Sequence, residues 1–187
     1  MSHQPAPAPA PAPNPTETAA ADDLLRLDLQ VCFALHAASR AFGSVYRRVL
    51  RDIELTYPQY LVMLVLWEHG EMPVKKLGEF LRLDSGTLSP LLKRLQAAGF
   101  VQRERSLHDE RSVSIRLTAE GEALREPARA VPLQIIQASG LDAEDVVDLR
   151  ARLQRLTAAL DAAQAGAVDA SDASGAVDTS GASGTES

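Results

Sequence analysis

Residues 73–118 hold two short amphipathic segments followed by two alternating ones, and this order constrains the fold more than any other feature of the chain. MPVKKLGEFLRL begins with a Pro near a helix start and places apolar residues on one face: Val74, Leu77, Phe80 and Leu81. Asp84 or Ser85 then caps a second helix, SGTLSPLLKRLQAAG, which Gly99 is placed to end. FVQRER and SVSIRL alternate on either side of a polar loop, as the strands of a β-hairpin do. The order predicts a winged helix-turn-helix, in which the second helix reads the major groove of DNA.

The flanking segments predict a mainly α-helical fold. Residues 22–50 repeat apolar positions at spacings of three and four, and a helix from Thr56-Tyr57-Pro58 to Gly70 is apolar nearly all round. Residues 119–164 predict further helices that end in a stripe: Val146, Leu149, Leu153, Leu156 and Leu160. Because a domain of this size cannot cover both terminal stripes, we expect a homodimer in which segments 22–50 and 119–164 are the dimerisation helices.

The two ends of the chain have a different composition. Residues 1–21 form an Ala/Pro arm, and residues 165–187 form an acidic tail with almost no large apolar side chain, so we expect both to be disordered. The net charge is −6, yet residues 75–116 hold nine Lys or Arg against five Asp or Glu. The positive charge is therefore concentrated in the predicted winged segment.

Hydroxyl and cationic side chains occupy the outward positions of the predicted recognition helix. They are Ser85, Thr87, Ser89, Lys93 and Arg94. Such groups can contact base edges and phosphates, although a solvated helix face has the same composition. In the loop of the wing, Arg111 is placed to enter a minor groove and Asp109 to hold it, whereas the simpler interpretation is a surface ion pair.

Cys32 is the single cysteine of the chain, which excludes an internal disulfide. Taken alone, it is most simply a small apolar residue of the core. His36, one helical turn later, could instead stabilise a thiolate or accept the thiol proton. Tyr46 and Tyr57 could donate hydrogen bonds to that thiolate if the fold brings them to it.

The segment LDSGTLSPLLKRLQAAGFVQRERSLHDERSVSIRLTAEG, with Asp109-x-Arg111, resembles the MarR family of winged-helix regulators. LDLQVCFALHAASRAF, Tyr46 and LTYPQYLVMLVLWEHG resemble its organic hydroperoxide resistance (OhrR) branch. The resemblance implies a dimer of MarR-like domains at residues 22–164 that represses transcription from a pseudo-palindromic operator. It also implies that Cys32 reacts with organic hydroperoxide, and that Tyr46 and Tyr57 hydrogen-bond its sulfur from the partner subunit.

One residue departs from that branch, and the cysteine count indicates its one-cysteine type. Many members have a Tyr where this chain has His36. Members with a second cysteine form a disulfide between subunits, whereas the single cysteine here implies a sulfenic acid that condenses with a low-molecular-weight thiol.

Three alternatives compete with this prediction. A regulator of the same fold could release DNA on binding a small aromatic ligand, with Cys32 merely structural. A thiol peroxidase is disfavoured because the chain resembles no peroxidase, so we expect no enzyme. The four His residues share no ligand spacing, so we expect neither a metal nor another cofactor. Without a secretory signal or membrane span, we expect a cytoplasmic protein.

Overall fold

The computed structural model describes residues 24–105 and 113–175. The first helix, α1, spans Val31–Val49 and follows a 3-10 turn at Leu27–Leu29. Helix α1 therefore begins later than the predicted residue 22. The backbone of Gln30 is extended, and its side-chain amide donates to the carbonyls of Leu24 and Arg26, so the preceding residues fold back as a turn.

Helix α2 spans Tyr57–His69, as the sequence predicts. The backbone N–H of Thr56 donates to Oε1 of Gln59 at 2.8 Å, as in a capping box at the start of the helix. Pro58 lies in the first turn, where a missing N–H costs little. Tyr60, Val62, Met63, Leu66 and Trp67 are buried, so the predicted burial of this apolar helix is confirmed.

Helix α3 spans Val74–Leu81, and α4, the predicted recognition helix, spans Ser85–Ala97. The turn between them is tight: a Cβ on Gly78 would lie 2.9 Å from the carbonyl oxygen of Leu83. Asp84 caps α4 by accepting from the N–H of Thr87 at 2.8 Å, and Gly99 leaves the helix with φ at 81°. The predicted helix-turn-helix and its caps are confirmed.

Three strands form an antiparallel sheet in the order β1-β3-β2. The wing strands are β2 (Val101–Arg105) and β3 (Val113–Leu117), in register from Val101 opposite Leu117 to Arg105 opposite Val113. The sequence did not predict β1 (Met72–Pro73), which pairs with Ile115 and Ser114. Two residues are too few to show the alternation of apolar and polar side chains that indicates a strand, and Pro73 locally indicates a helix start.

Leucines form most of the core of the winged region. Leu77, Leu88, Leu92 and Leu95 are at most 1% exposed, and Ile115 of the central strand is fully buried. Phe80, predicted on the same inner face, is instead 47% exposed. It stacks on His69 with ring centroids 4.6 Å apart, and the ammonium of Lys76 lies over it, so the ring is partly covered at the surface.

The chain divides into two compact units, Met1–Val131 and Pro132–Ser187. Thr118 caps the short helix α5 (Ala119–Ala123), and α6 (Arg125–Ala128) and α7 (Ala130–Ser139) follow. The last helix, α8, spans Ala143–Gly175 and so continues beyond the predicted end at 164, since its Ala-rich sequence favours helix. Residues 1–21, and 176–187 of the predicted tail, lie outside the described part.

The described helices include none that is both long and apolar enough to cross a bilayer.

Candidate nucleic-acid interface and thiol site

Four of the five predicted recognition residues are exposed on α4: Ser85, Thr87, Lys93 and Arg94. Ser89 is only half-exposed, because it lies beside the buried Leu88 on the edge of the inner face. The Thr87 hydroxyl donates its hydrogen to Oδ2 of Asp84 at 2.9 Å. Its oxygen therefore remains available only as an acceptor for a partner outside the chain. Lys93 and Arg94 supply the positive charge of this face.

The strands of the wing lie close to the end of α4. Glu104 and Arg116, on adjacent strands, form an ion pair at 2.6 Å on the exposed face of the hairpin. Arg103, one residue earlier, is half-buried, and its Nε has no hydrogen-bond partner among the described residues. The predicted wing contacts Asp109 and Arg111 lie outside the described residues.

Cys32 is exposed in the single chain, so it is not part of the core that one chain builds. It is the second residue of α1, where backbone N–H groups have no partner within the helix and the helix dipole favours a negative charge. His36 follows one turn later and is also exposed. Within the part of the chain that the structure describes, no side chain hydrogen-bonds the Cys32 sulfur.

Tyr46 and Tyr57 are brought together by the packing of α1 on α2, with ring centroids 4.4 Å apart. The ring centroid of Tyr60 lies 6.2 Å from that of Tyr46, and Tyr60 is only 3% exposed. Burial, and then the neighbouring phenols, raise the pKa of Tyr46 to about 12, and burial likewise raises the pKa of Tyr60. These phenols therefore remain protonated donors at neutral pH.

The sequence interpretation did not include Tyr60 in this group. The spacing of Tyr57 and Tyr60, three residues apart on one helix, was the signal that could have found it. The structure thus builds a cluster of all three tyrosines of the chain, which we call the tyrosine cluster: Tyr46, Tyr57 and Tyr60.

The tyrosine cluster and Cys32 lie far apart within one chain. Cys32 and Tyr46 are fourteen positions apart on the same α-helix, which corresponds to about 21 Å along its axis. A straight helix cannot bring them together. Any contact between them therefore requires a second copy of the chain.

Comparison with known proteins shows the family. A family model described as transcriptional regulator SarA/Rot matches residues 44–126. The chain is 46% identical to the organic hydroperoxide resistance transcriptional regulator of Bacillus subtilis, over 72% of this chain and 91% of that one. It is 49% identical to the HTH-type transcriptional regulator TtmR of Methylorubrum extorquens, over 75% of this chain and 70% of the relative.

A solved structure shows the same fold bound to DNA. Reduced AbfR in its DNA complex, a protein of Staphylococcus epidermidis, superposes with a TM-score of 0.64 and 34% identity, over 76% of this chain and 99% of AbfR. The predicted resemblance and the predicted fold class are confirmed. The chain belongs to the MarR family of winged-helix transcription regulators and is of the OhrR type.

Proposed function

We propose that this DNA-binding transcriptional repressor senses organic hydroperoxides through Cys32 and leaves its operator when Cys32 is oxidised. One observation carries the proposal. The single cysteine is exposed in the first turn of α1, in a chain 46% identical to a regulator named for organic hydroperoxide resistance.

The active species is a homodimer. Helix α1 has no buried residue in one chain, and its Val31 is 66% exposed and its Phe33 42% exposed. A two-fold axis that places two α1 helices antiparallel would cover these residues and bring Cys32 of one protomer to Tyr46 and Tyr57 of the other. This arrangement overcomes the separation of about 21 Å within one chain.

The phenols and the helix terminus act on the thiolate. Tyr46 and Tyr57 donate hydrogen bonds to the sulfur, and the unpaired N–H groups of the first turn favour its negative charge. His36 replaces the Tyr that many OhrR-type members have and accepts the thiol proton from one turn away. A basic imidazole thus takes a place where other members have a phenolic donor.

Oxidation proceeds in two balanced steps. The thiolate attacks the terminal oxygen of the hydroperoxide, the O–O bond breaks, and the alkoxide takes up a proton and leaves as an alcohol. Cys32, oxidised by two electrons, is then a sulfenic acid. A low-molecular-weight thiol attacks its sulfur, a disulfide bond forms, and the hydroxyl leaves as water.

The mixed disulfide changes the stability of the DNA-bound arrangement. The adduct adds the volume of a small thiol at the proposed contact between Cys32 and the partner's phenols, so the helices that carry Tyr46 and Tyr57 repack. Residues of α4 contact the operator, and Arg111 of the wing enters the minor groove while Asp109 holds it in position. The residues on α4 are Ser85, Thr87, Ser89, Lys93 and Arg94. Movement of the two recognition helices away from their half-site spacing lowers affinity for a pseudo-palindromic operator.

The test is operator binding by wild type and Cys32→Ser, with and without cumene hydroperoxide and a small thiol. Wild type loses at least about tenfold in operator affinity, whereas Cys32→Ser binds and does not respond. Ser39→Ala, an exposed change on the same helix that keeps the thiol, is the matched control and responds like wild type.

Mass spectrometry of the released protein identifies the chemistry. The proposal requires the mass of the thiol adduct on the peptide that contains Cys32. Release of Cys32→Ser by peroxide, or release of wild type by an aromatic ligand alone with no change of mass, would contradict it and favour a ligand-binding regulator.

A further inference from the structure

A continuous series of contacts leads from the tyrosine cluster along α2. Tyr60 contacts Tyr46 at one side and Trp67, two turns further along the helix, at the other, with ring centroids 6.2 and 6.3 Å apart. Both Tyr60 and Trp67 are at least nine-tenths buried. The indole Nε1–H of Trp67 then donates to the carbonyl oxygen of Gly121, in α5, at 3.0 Å.

Gly121 is fixed against the base of the wing. A Cβ at Gly121 would lie 2.0 Å from the carbonyl oxygen of Phe100, so the two backbones touch here as only a glycine allows. Thr118, directly after β3, binds the same segment. Its N–H donates to the carbonyl oxygen of Phe100 at 3.1 Å, and its hydroxyl donates to the carbonyl oxygen of Gly99 at 2.6 Å. Gly99 and Phe100 lie between the end of the recognition helix and the start of β2.

The contact between Trp67 and Gly121 is suited to transmit movement. An indole has a single N–H, so when α2 shifts, this donor either carries α5 with it or is left without a partner in a buried place. The tight contact of Gly121 with Phe100 cannot be compressed, so α5 in turn displaces the junction between α4 and β2.

We infer that Trp67 is the positioning residue that couples the tyrosine cluster to the base of the wing, through its hydrogen bond to Gly121. The inference rests on the proposed peroxide response and names the route by which that response reaches the DNA-binding elements. Trp67 touches neither the thiol nor DNA in this assignment.

Trp67→Phe removes the N–H and keeps an aromatic ring. The measured quantity is the ratio of operator Kd values in the oxidised and reduced states. We expect this ratio to fall by about three- to tenfold relative to wild type, the effect of losing one buried hydrogen bond that differs between the two states. Met63→Leu, fully buried one turn earlier on α2, is the matched core control and keeps the wild-type ratio.

The wild-type protein provides a second readout, since Trp67 is its single tryptophan. Oxidation of Cys32 without DNA should shift the emission of Trp67, because movement of the tyrosine cluster changes the packing of Tyr60 on the indole ring, and Cys32→Ser should show no shift. This measurement decides the matter even if Trp67→Phe does not fold.

The outcomes separate the two proposals. If wild type does not respond to peroxide, the proposed function fails. If wild type releases DNA normally while Trp67→Phe keeps the full ratio, or while Trp67 emission stays constant on oxidation, the coupling role of Trp67 alone is overturned.

Discussion

The winged region and helix α1 differ in how much of their structure a single chain completes. The winged region buries Leu77, Leu88 and Leu92 almost fully and satisfies the start of its recognition helix with Asp84. Helix α1 is equally regular but has no buried residue, and its Val31 is 66% exposed. The winged region is therefore complete within one protomer, whereas α1, which carries the proposed sensing residue, is left uncovered by its own chain.

This difference has a functional consequence. A region whose core is complete within one chain can move as a rigid body. A helix whose apolar face is covered by a partner can shift when the contact with that partner changes. In the proposed mechanism, a chemical change at Cys32 therefore alters the dimer without unfolding the winged region.

The largest expected effect comes from two matched Leu→Ala substitutions. Leu92→Ala should lower the free energy of unfolding by about 2–5 kcal/mol at every protein concentration, because it leaves a cavity in a core complete within one chain. Leu35→Ala, on α1 and 38% exposed, should destabilise the protein mainly by weakening the dimer, so its effect depends on protein concentration. Urea unfolding at several concentrations measures both. A concentration-independent loss for Leu35→Ala would remove the distinction.

A smaller effect is expected in alkali from the tyrosine cluster. The pKa of Tyr46 is raised to about 12, so between its ordinary value of 10 and about 12 the unfolded chain loses a proton that the folded chain keeps. The stability that this phenol contributes is complete below pH 10 and is lost as pH rises through that range, with up to about one proton involved per chain.

Phenolate absorbance reports only this cluster, because it contains all three tyrosines. Tyr46→Phe should remove the late-titrating phenol and make thermal stability less sensitive to alkali. Titration of all three phenols near the ordinary value of 10 would show that the cluster does not form within the protein.

The smallest effect is expected at the cap of the recognition helix. Asp84→Ala removes the acceptor for Thr87 and should weaken operator binding by about two- to threefold through fraying of α4. Asp84→Asn keeps an acceptor and is the control.

The same contact has a pH dependence. The hydrogen bonds from Thr87 hold the pKa of Asp84 below its ordinary 3.8, so the stability they contribute is present above that value and is lost as pH falls through the lower, folded-state pKa. Circular dichroism in acid, compared with Asp84→Ala, checks this sign. Identical acid sensitivity of the two proteins would contradict it.

Much of the fold could be predicted because its signals are local. Thr56 and Pro58 mark the start of α2, Asp84 that of α4, and Thr118 that of α5, and each acts on backbone within one turn. Helix α1 was placed less well, since nothing in its apolar spacing showed that the residues before Gln30 fold back as a turn. The two-residue strand β1 has no signal of its own and exists only because Ile115 lies opposite.

The candidate sites divide in the same way. Cys32, Tyr46, Tyr57 and the outward residues of α4 were found from residue type and resemblance, whereas the exposure of Cys32 and the membership of Tyr60 were not. Burial depends on what the rest of the chain places beside a residue, and a helical period is the same for a face that is covered and for one that is not.

The sequence by itself determined the order of helices and strands, their caps and the family, because these depend on hydrogen bonds and side-chain spacing within a few residues. Only the tertiary structure decided that Tyr46 meets Tyr57 across two helices, and that Trp67 donates to a carbonyl fifty-four positions away. Those contacts join segments that are distant in the sequence. They form because a close-packed core fixes the position of each ring and because a buried donor needs an acceptor.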